Sequence, residues 1–538
     1  MKKNFISITA LVLTAVLLLA SCGGTAGTAT PPSTQSDSTA ASAADTPDAQ
    51  SSVLVIGASS DIVTLDPANQ MQTNTSDLFS SIGSQLFTYD LDFKLVGDLC
   101  ADYTQVDDLT WEFAIRNDAF FADGTQITAK DVQWTLTRVA TDEGLVAHSN
   151  YSCIDHVDVV DDYNVRVVTT AARPDMLSLL AMPRSTILPS AYIEANGMDA
   201  YIAAPVCSGP YLLKEWVPDD HYTLVPNPNY YGDDKATWEE VTYRIIPETS
   251  TRVSELLTGG VDIIDNVGVN EWTRISDNTE GYGTSLAYGE TSRVMLLILR
   301  MTDGWACSDP AVREAIEYAI DKDAICTALL QNAGTPTRTR IGSSVLGCNL
   351  DLFGSENANL YDPEHAKQIL ADAGYGEGDL TLDMTAPSGR YLMDSEMAQM
   401  IAAYLEAVGI KVNLELVDST VVSQRFTGKE NKDIFLIGLS DGQYDGCYPL
   451  AQFCDPSRTT GMSDYNNPDV VEMYQQTRVE MDQEKKAALS AKIQQIAADD
   501  RPQIAICQMK AIFGISNRVV FNGRMDTTIR PDEVSLAG

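Results

Sequence analysis

Histidine is scarce in this chain. Only His148, His156, His221 and His365 occur, and none stands in a His-x-x-x-His or His-Glu-x-x-His spacing, which removes the usual helical zinc site. The cysteines match no zinc pattern either. No phosphate-binding loop of the Gly-x-x-x-x-Gly-Lys type is present, so the commonest nucleotide motif is missing. Ser208 lies in Cys207-Ser208-Gly209-Pro210, where the proline has no N–H to lend to an oxyanion hole. Basic residues are few as well, 36 Lys+Arg against 75 Asp+Glu, for a net charge of −39. A nucleic-acid binder needs a basic footprint. The surplus acid means a solvated, self-repelling surface and says little about the sign of a ligand. These absences point to a chain with no catalytic residues, no metal and no cofactor.

Long apolar runs are equally rare. Lys2 and Lys3 precede an apolar stretch, broken by Ser7, Thr9 and Thr14, that ends at Ala20. Its core of about 15 residues falls short of the ~20 that span a bilayer. It reads as a signal peptide over residues 1–21. No later stretch holds 18 consecutive apolar residues. Leu19-Ala20-Ser21-Cys22 resembles a lipobox, in which the cysteine is diacylated and becomes the mature N-terminus; two acyl chains give lasting anchorage. Residues 23–52 contain no aromatic side chain and are mostly Ser, Thr, Ala, Pro, Gly and Asp. Such a tract cannot bury enough surface to order itself, so residues 22–52 read as a disordered linker with a reach of roughly 30 Å. The expected place is extracytoplasmic, lipid-anchored to the outer face of the cell membrane. Lipidation of Cys22 takes one of ten cysteines; the odd remainder leaves at least one thiol unpaired within the monomer. Cys447 and Cys454 are close enough in sequence to pair, and an outside location permits disulfides without requiring them.

The mature chain is long enough for two or three domains. Trp111, Phe113 and Ile115 alternate with Glu112, Ala114 and Arg116, the period of a half-buried strand. Asp123-Gly124 marks a turn. Thr128 and Asp131 form a carboxylate variant of the capping box ahead of a helix carrying Val132, Leu136 and Val139. Strands are expected at residues 53–57, 243–247 and 261–264. The unbroken run at 294–299 is that of a strand covered on both faces. Asp309-Pro310 and Asp362-Pro363 start helices, Gly374 stops the second, and a helix over 396–408 ends at Gly409 before an alternating strand at 410–416. Helix–strand–helix–strand order implies parallel pairing with crossover helices.

The wording of residues 110–138 is narrower than this local logic. It closely resembles the signature segment of the family 5 extracytoplasmic solute-binding proteins, the peptide- and nickel-binding receptors of ABC importers. The resemblance continues through Thr64-Leu65-Asp66-Pro67, residues 86–108, Cys207-Ser208-Gly209-Pro210-Tyr211, Asn227-Pro228-Asn229-Tyr230-Tyr231 and the Asp-Pro-Ala-Val-Arg-Glu-Ala-Ile run from Asp309. It implies an α/β, two-lobed periplasmic-binding-protein-like fold (type II, cluster C) with an additional α+β subdomain. Lobe I is expected at residues 53–90, 205–290 and 505–538, the subdomain at 91–204, and lobe II at 291–504, with hinges near 204–210 and 290–300. One departure is Arg300, near where the family usually carries Asn. The implied role is to capture a di- or oligopeptide, or a similar small solute, between the lobes and deliver it to ABC permease subunits. The protein would be a monomer with no nucleic-acid partner. A surface sensor of peptide signals, or a receptor for an oligosaccharide, opine or metal chelate, stays open.

Asp441 lies just past the carboxyl end of the apolar run at 434–438, where α/β proteins place ligands. The segment 439–449 resembles the family stretch that supplies an aspartate to a peptide's α-ammonium, which a carboxylate would receive with charge-assisted strength. A turn-forming aspartate before Gly442 fits equally well, and Asp445 is the register-shifted substitute. Arg390, in a loop before a helix, matches the arginine that clamps the peptide carboxylate in dipeptide-binding relatives; a guanidinium fork matches both oxygens. A solvated loop arginine is the plain alternative. Tyr444, Tyr448 and Trp305 are candidates for side-chain pockets, and Met295 reads as core.

Overall fold

A computed structural model describes residues 52–70, 72–232, 236–277 and 283–537. The signal peptide, Cys22 and nearly all of the linker lie outside the described residues. The architecture is organised by one mixed sheet of 11 strands. At its centre two long strands, Thr284–Leu299 and Gln503–Ser516, run antiparallel. Their outer halves pair as Thr284 with Ser516 through Glu290 with Lys510, and their inner halves as Val294 with Gln508 through Ile298 with Gln503. Between Glu290 and Val294 the register slips, a bulge that bends the strand and re-aims its side chains.

On one side of this pair Val53–Ala58 lies parallel to both Ile263–Ile264 and Glu240–Ile245, and the meander His221–Pro226, Tyr211–Val217 completes the edge. Only two of the four residues expected as a strand at 261–264 are extended in register. On the other side Thr381–Pro387 runs parallel to Lys411–Val417 and to Ile434–Leu439, as the helix–strand order implies. Ile434–Leu439 then meets Thr284–Leu299 antiparallel, so the sheet is mixed there. Val294, Met295, Leu296, Leu297 and Leu299 are fully buried, each worth roughly 1.5–3 kcal/mol of transfer free energy.

The segment 110–138 forms as its residues dictate. Thr110–Ile115 sits inside a four-stranded antiparallel sheet with Cys100–Gln105, Asn164–Thr169 and Ile154–Asp161. The helix Ala129–Thr141 opens on the Thr128–Asp131 capping box and shares a core with Trp111, Phe113, Val132 and Leu136. Separate apolar cores underlie the first strands of the large sheet and the 381–417 region. Two helix starts carry their N-caps, Asp309 to the Ala311 N–H and Asp362 to the His365 N–H.

All nine described cysteines are unpaired. Cys447 and Cys454 open and close one helix, Cys447–Cys454. Seven helical steps separate their Cα atoms by about 10 Å, beyond the ~7 Å a disulfide spans. Proximity in sequence therefore does not become proximity in space here.

Candidate functional site

The helix expected over 396–408 begins earlier, as Asp394–Ala407, and the reason concerns the site. The buried Asp394 carboxylate accepts the N–H groups of Gly389, Arg390 and Tyr391 at 2.8–2.9 Å. It thereby fixes the loop that follows the Thr381–Pro387 strand. Tyr391 donates its hydroxyl to the Gly438 carbonyl at 2.8 Å, tying this loop to the end of the neighbouring parallel strand. Arg390 is exposed, its guanidinium held by Ser419 and Ser423 and its Nε by the Tyr391 hydroxyl.

Arg390 and Tyr391 line a cleft of about 550 Å³. The bulge of the Thr284–Leu299 strand contributes Arg293, whose guanidinium lies 5.7 Å from the Tyr391 ring, with Arg390 at 5.5 Å from the same ring. Arg293 is open to solvent yet walled in by protein; that environment lowers its pKa, Tyr391 opposes the shift and the like charge of Arg390 adds to it. Among the described residues no carboxylate pairs with Arg293, so two adjacent guanidinium groups face the same space. Thr291 ties the bulge down: it donates to the Met509 carbonyl and accepts the Arg293 N–H.

The lining also carries acidic side chains. Asp77, on the helix Thr73–Ile82, and Asp265 both border the cleft. Asp265 accepts the Ser59 hydroxyl at 2.7 Å and lies 3.5 Å from Arg252. Burial first, then the Asp526 and Asp265 charges, push the Asp77 carboxyl well above the usual range.

Asp441 is 1% exposed and lines neither this cleft nor a smaller neighbouring cavity of about 140 Å³. Its two carboxylate oxygens accept the Gln443 and Gly446 N–H groups at 3.0 Å, an Asx-type turn. Burial and the charge of Asp445 raise its pKa to about 6, with Arg340 opposing. Its backbone engages the Ser292 hydroxyl, one residue from Arg293. Asp445 pairs with Lys486 at 3.2 Å, both buried, and accepts the Cys447 N–H. Tyr444 adopts a left-handed φ of 57°, packs edge-on against Tyr89 and Phe93, and lines the smaller cavity with Arg524 and Asp526. The sequence candidates thus cluster at the carboxyl ends of two neighbouring strands, but only Arg390 reaches the large cleft.

Trp305 lies under Arg300, 5.3 Å from its guanidinium, and Tyr448 is an exposed ring beside Arg458; neither lines either cavity. Met295 is core. Arg300, the departure at the strand end, pairs with Asp464 and donates to the Asn431 and Gly461 carbonyls. Gly438-Leu439-Ser440-Asp441-Gly442 spells the Gly-x-Ser-x-Gly string, but Ser440 is not in a left-handed turn and bonds to no histidine among the described residues, as a nucleophile elbow would require. No group of three His, Cys, Asp or Glu side chains among the described residues is arranged to hold a metal ion. Arg293, Asp77 and Asp394 escape the sequence reading. The signals were an arginine directly before a buried strand and an aspartate on the apolar face of a helix beside Leu78.

A mixed sheet crossed by two long shared strands, with a cleft bordered by charged side chains of both signs, defines a two-lobed, type II periplasmic-binding-protein fold. Comparison with known proteins agrees. Residues 94–461 match the family model for the middle region of bacterial extracellular solute-binding proteins, family 5, and the chain belongs to that family. Among curated relatives, the glutathione-binding protein GsiB of Escherichia coli K12 is 24% identical over 469 residues, 85% of this chain and 89% of GsiB. Among solved structures, HbpA2 of Haemophilus parasuis superposes with a TM-score of 0.79 at 21% identity, covering 90% of this chain and 99% of HbpA2. DppA of Helicobacter pylori in complex with the peptide STSA gives 0.68 at 22% identity, covering 90% of this chain and 98% of DppA. The protein is an extracytoplasmic solute-binding component of an ABC importer. No helix among the described residues is long and apolar enough to cross a membrane.

Proposed function

We propose that the protein captures short peptides, of glutathione to tetrapeptide size, in the 550 Å³ cleft and hands them unaltered to its permease. The observation that carries this is the paired guanidinium groups of Arg390 and Arg293 flanking Tyr391, an anion clamp that no carboxylate among the described residues pairs with. The cleft volume falls in the range of small-ligand sites. GsiB binds glutathione by name and DppA was captured with a peptide, which supports the same class. Arg390 takes the ligand carboxylate, Tyr444 borders the adjoining space, and Asp441 and Asp445 shape the loop between them. Residues 53–90, 205–290 and 505–538 act as one lobe and 291–504 as the other, with 91–204 as the added subdomain. Contacts to both lobes favour the closed population. Cys22 carries the lipid anchor and the protein works as a monomer.

Calorimetry with glutathione and free di- and tripeptides tests the ligand class. Expected is saturable binding to wild type and a loss of at least about thirtyfold in Arg390→Lys, which keeps charge but not the fork. Unimpaired Arg390→Lys would remove the clamp, and no binding by wild type would remove the peptide reading. Membrane fractionation of Cys22→Ala against wild type tests the anchor: the variant is expected in the soluble fraction.

A further inference from the structure

The guanidinium clamp accounts for one end of a ligand; the other end is written in the helix Thr73–Ile82. Asp77 is 7% exposed, borders the cleft, and its Oδ1 has no hydrogen-bond partner. An ionisable oxygen withdrawn from water without a partner is destabilising. Of the surrounding acids, Asp265 also has an oxygen without a hydrogen bond but keeps a cation beside it, and Asp526 is fully engaged. Asp526 is held by Arg524 and by the Thr528 hydroxyl and N–H. Asp265 has Ser59 on one oxygen and Arg252 at 3.5 Å from the other. Arg524, whose charge lowers the Asp77 pKa, is already engaged by Asp526 and Glu533. Among the described residues Asp77 forms no ion pair, and the acids around it add negative potential that a cation would relieve.

We propose that Asp77 is the receptor for the ligand's ammonium group, so that a bound zwitterion lies across the cleft from the Thr73–Ile82 helix to the Arg390–Arg293 clamp. This rests on the peptide reading above and deepens it. The assignment differs from one through Asp441, whose oxygens are occupied by the Gln443 and Gly446 N–H groups and which lines neither cavity. An ammonium offers three donors, and the unpartnered Oδ1 accepts one of them with charge assistance. It also explains why one cleft holds two guanidinium groups and a carboxyl that form no ion pairs among the described residues: each completes a different end of the same solute.

The test uses full-length protein and a defined panel: glutathione and free dipeptides, each beside its N-acetylated form. Calorimetry is run on wild type, Asp77→Asn, Asp77→Ala and Asp441→Asn, with apo unfolding of each variant as a fold check. N-acetylation is expected to weaken wild type by at least about thirtyfold, the scale for losing one partner of a desolvated charge pair. It should weaken Asp77→Asn and Asp77→Ala by less than about threefold, because their ammonium partner is already gone. Asp441→Asn should keep the full acetylation penalty. Equal penalties in wild type and both Asp77 variants would overturn the assignment, as would loss of the penalty in Asp441→Asn alone. Failure of wild type to bind any panel member is a different outcome, and overturns the peptide reading on which the assignment stands.

Discussion

Replacing Lys486 by methionine breaks the ion pair beneath the loop that carries Asp441, Tyr444 and Asp445. Lys486 Nζ lies 3.2 Å from Asp445 Oδ2, with side-chain exposures of 2% and 3%. Burial works against the ammonium, but the charges of Asp445 and Asp175 and the hydrogen bond to Asp445 outweigh it and leave the Lys486 pKa raised. A pair so far from water repays its desolvation only while both members are present. Removing one leaves the other charged and buried, a loss of about 3–5 kcal/mol. The cost is sharpened here because Asp445 already raises the pKa of Asp441, so an uncompensated Asp445 places two carboxylates in one dry pocket. Removing the second charge should recover most of the loss, since Lys486→Met with Asp445→Asn leaves no buried charge at that position. Urea unfolding followed by tryptophan emission reads both variants. A single-variant loss below about 1 kcal/mol, or a double variant no more stable than the single, would refute a structural role for this pair.

Three further outcomes follow from the same side chains. Because the Asp441 pKa is raised to about 6, the folded chain binds its proton more tightly than the unfolded chain does. That contribution is full below about pH 4 and is lost as pH rises to about 6, a swing of about 3 kcal/mol; stability profiles of Asp441→Asn against wild type should differ by this slope, and parallel profiles would contradict it. Glu317 has the opposite sign. Burial opposes its charge, but Lys322, Arg338 and Arg501 prevail and hold its pKa at about 2, so its stabilisation is present above about pH 4.5 and lost as pH falls through 2. Glu317→Gln should cost about 3–5 kcal/mol at neutral pH by the same urea assay. Asp394→Ala frees three loop N–H groups and should weaken peptide binding while raising hydrogen exchange at residues 389–391; unchanged exchange would show that the loop holds itself.

Much of the fold was legible because its elements announce themselves locally. The Thr128–Asp131 box, the Asp309 and Asp362 caps and the alternation at 110–115 are short-range signals, and each formed as written. What local patterning could not show was the length of Thr284–Leu299. Its outer half carries Tyr288 and Glu290 on exposed positions, and only pairing with the distant Gln503–Ser516 makes it one strand. The site was less legible for the same reason. Arg390 could be named from its loop, but the partnership of Arg390 with Arg293 depends on a bulge set by pairing across more than two hundred residues. Asp77 borders the cleft together with residues from the C-terminal end, among them Thr527 and Ile529, a distant juxtaposition that local patterning does not show. Asp441 invited a ligand role from its place after a strand, whereas its own loop's N–H groups occupy its oxygens.

The central claim, capture of a peptide-like solute in this cleft, is tested most directly by mass spectrometry of what the purified protein carries. Wild type and the Arg293→Met, Arg390→Met double variant are washed, denatured and analysed for released small molecules. A peptide-sized solute bearing both an amine and a carboxylate is expected, near one per wild-type chain and absent from the folded double variant. Equal retention of that solute by the double variant, or a wild-type protein that yields no such solute and takes up neither glutathione nor dipeptides when they are added, would contradict the central claim.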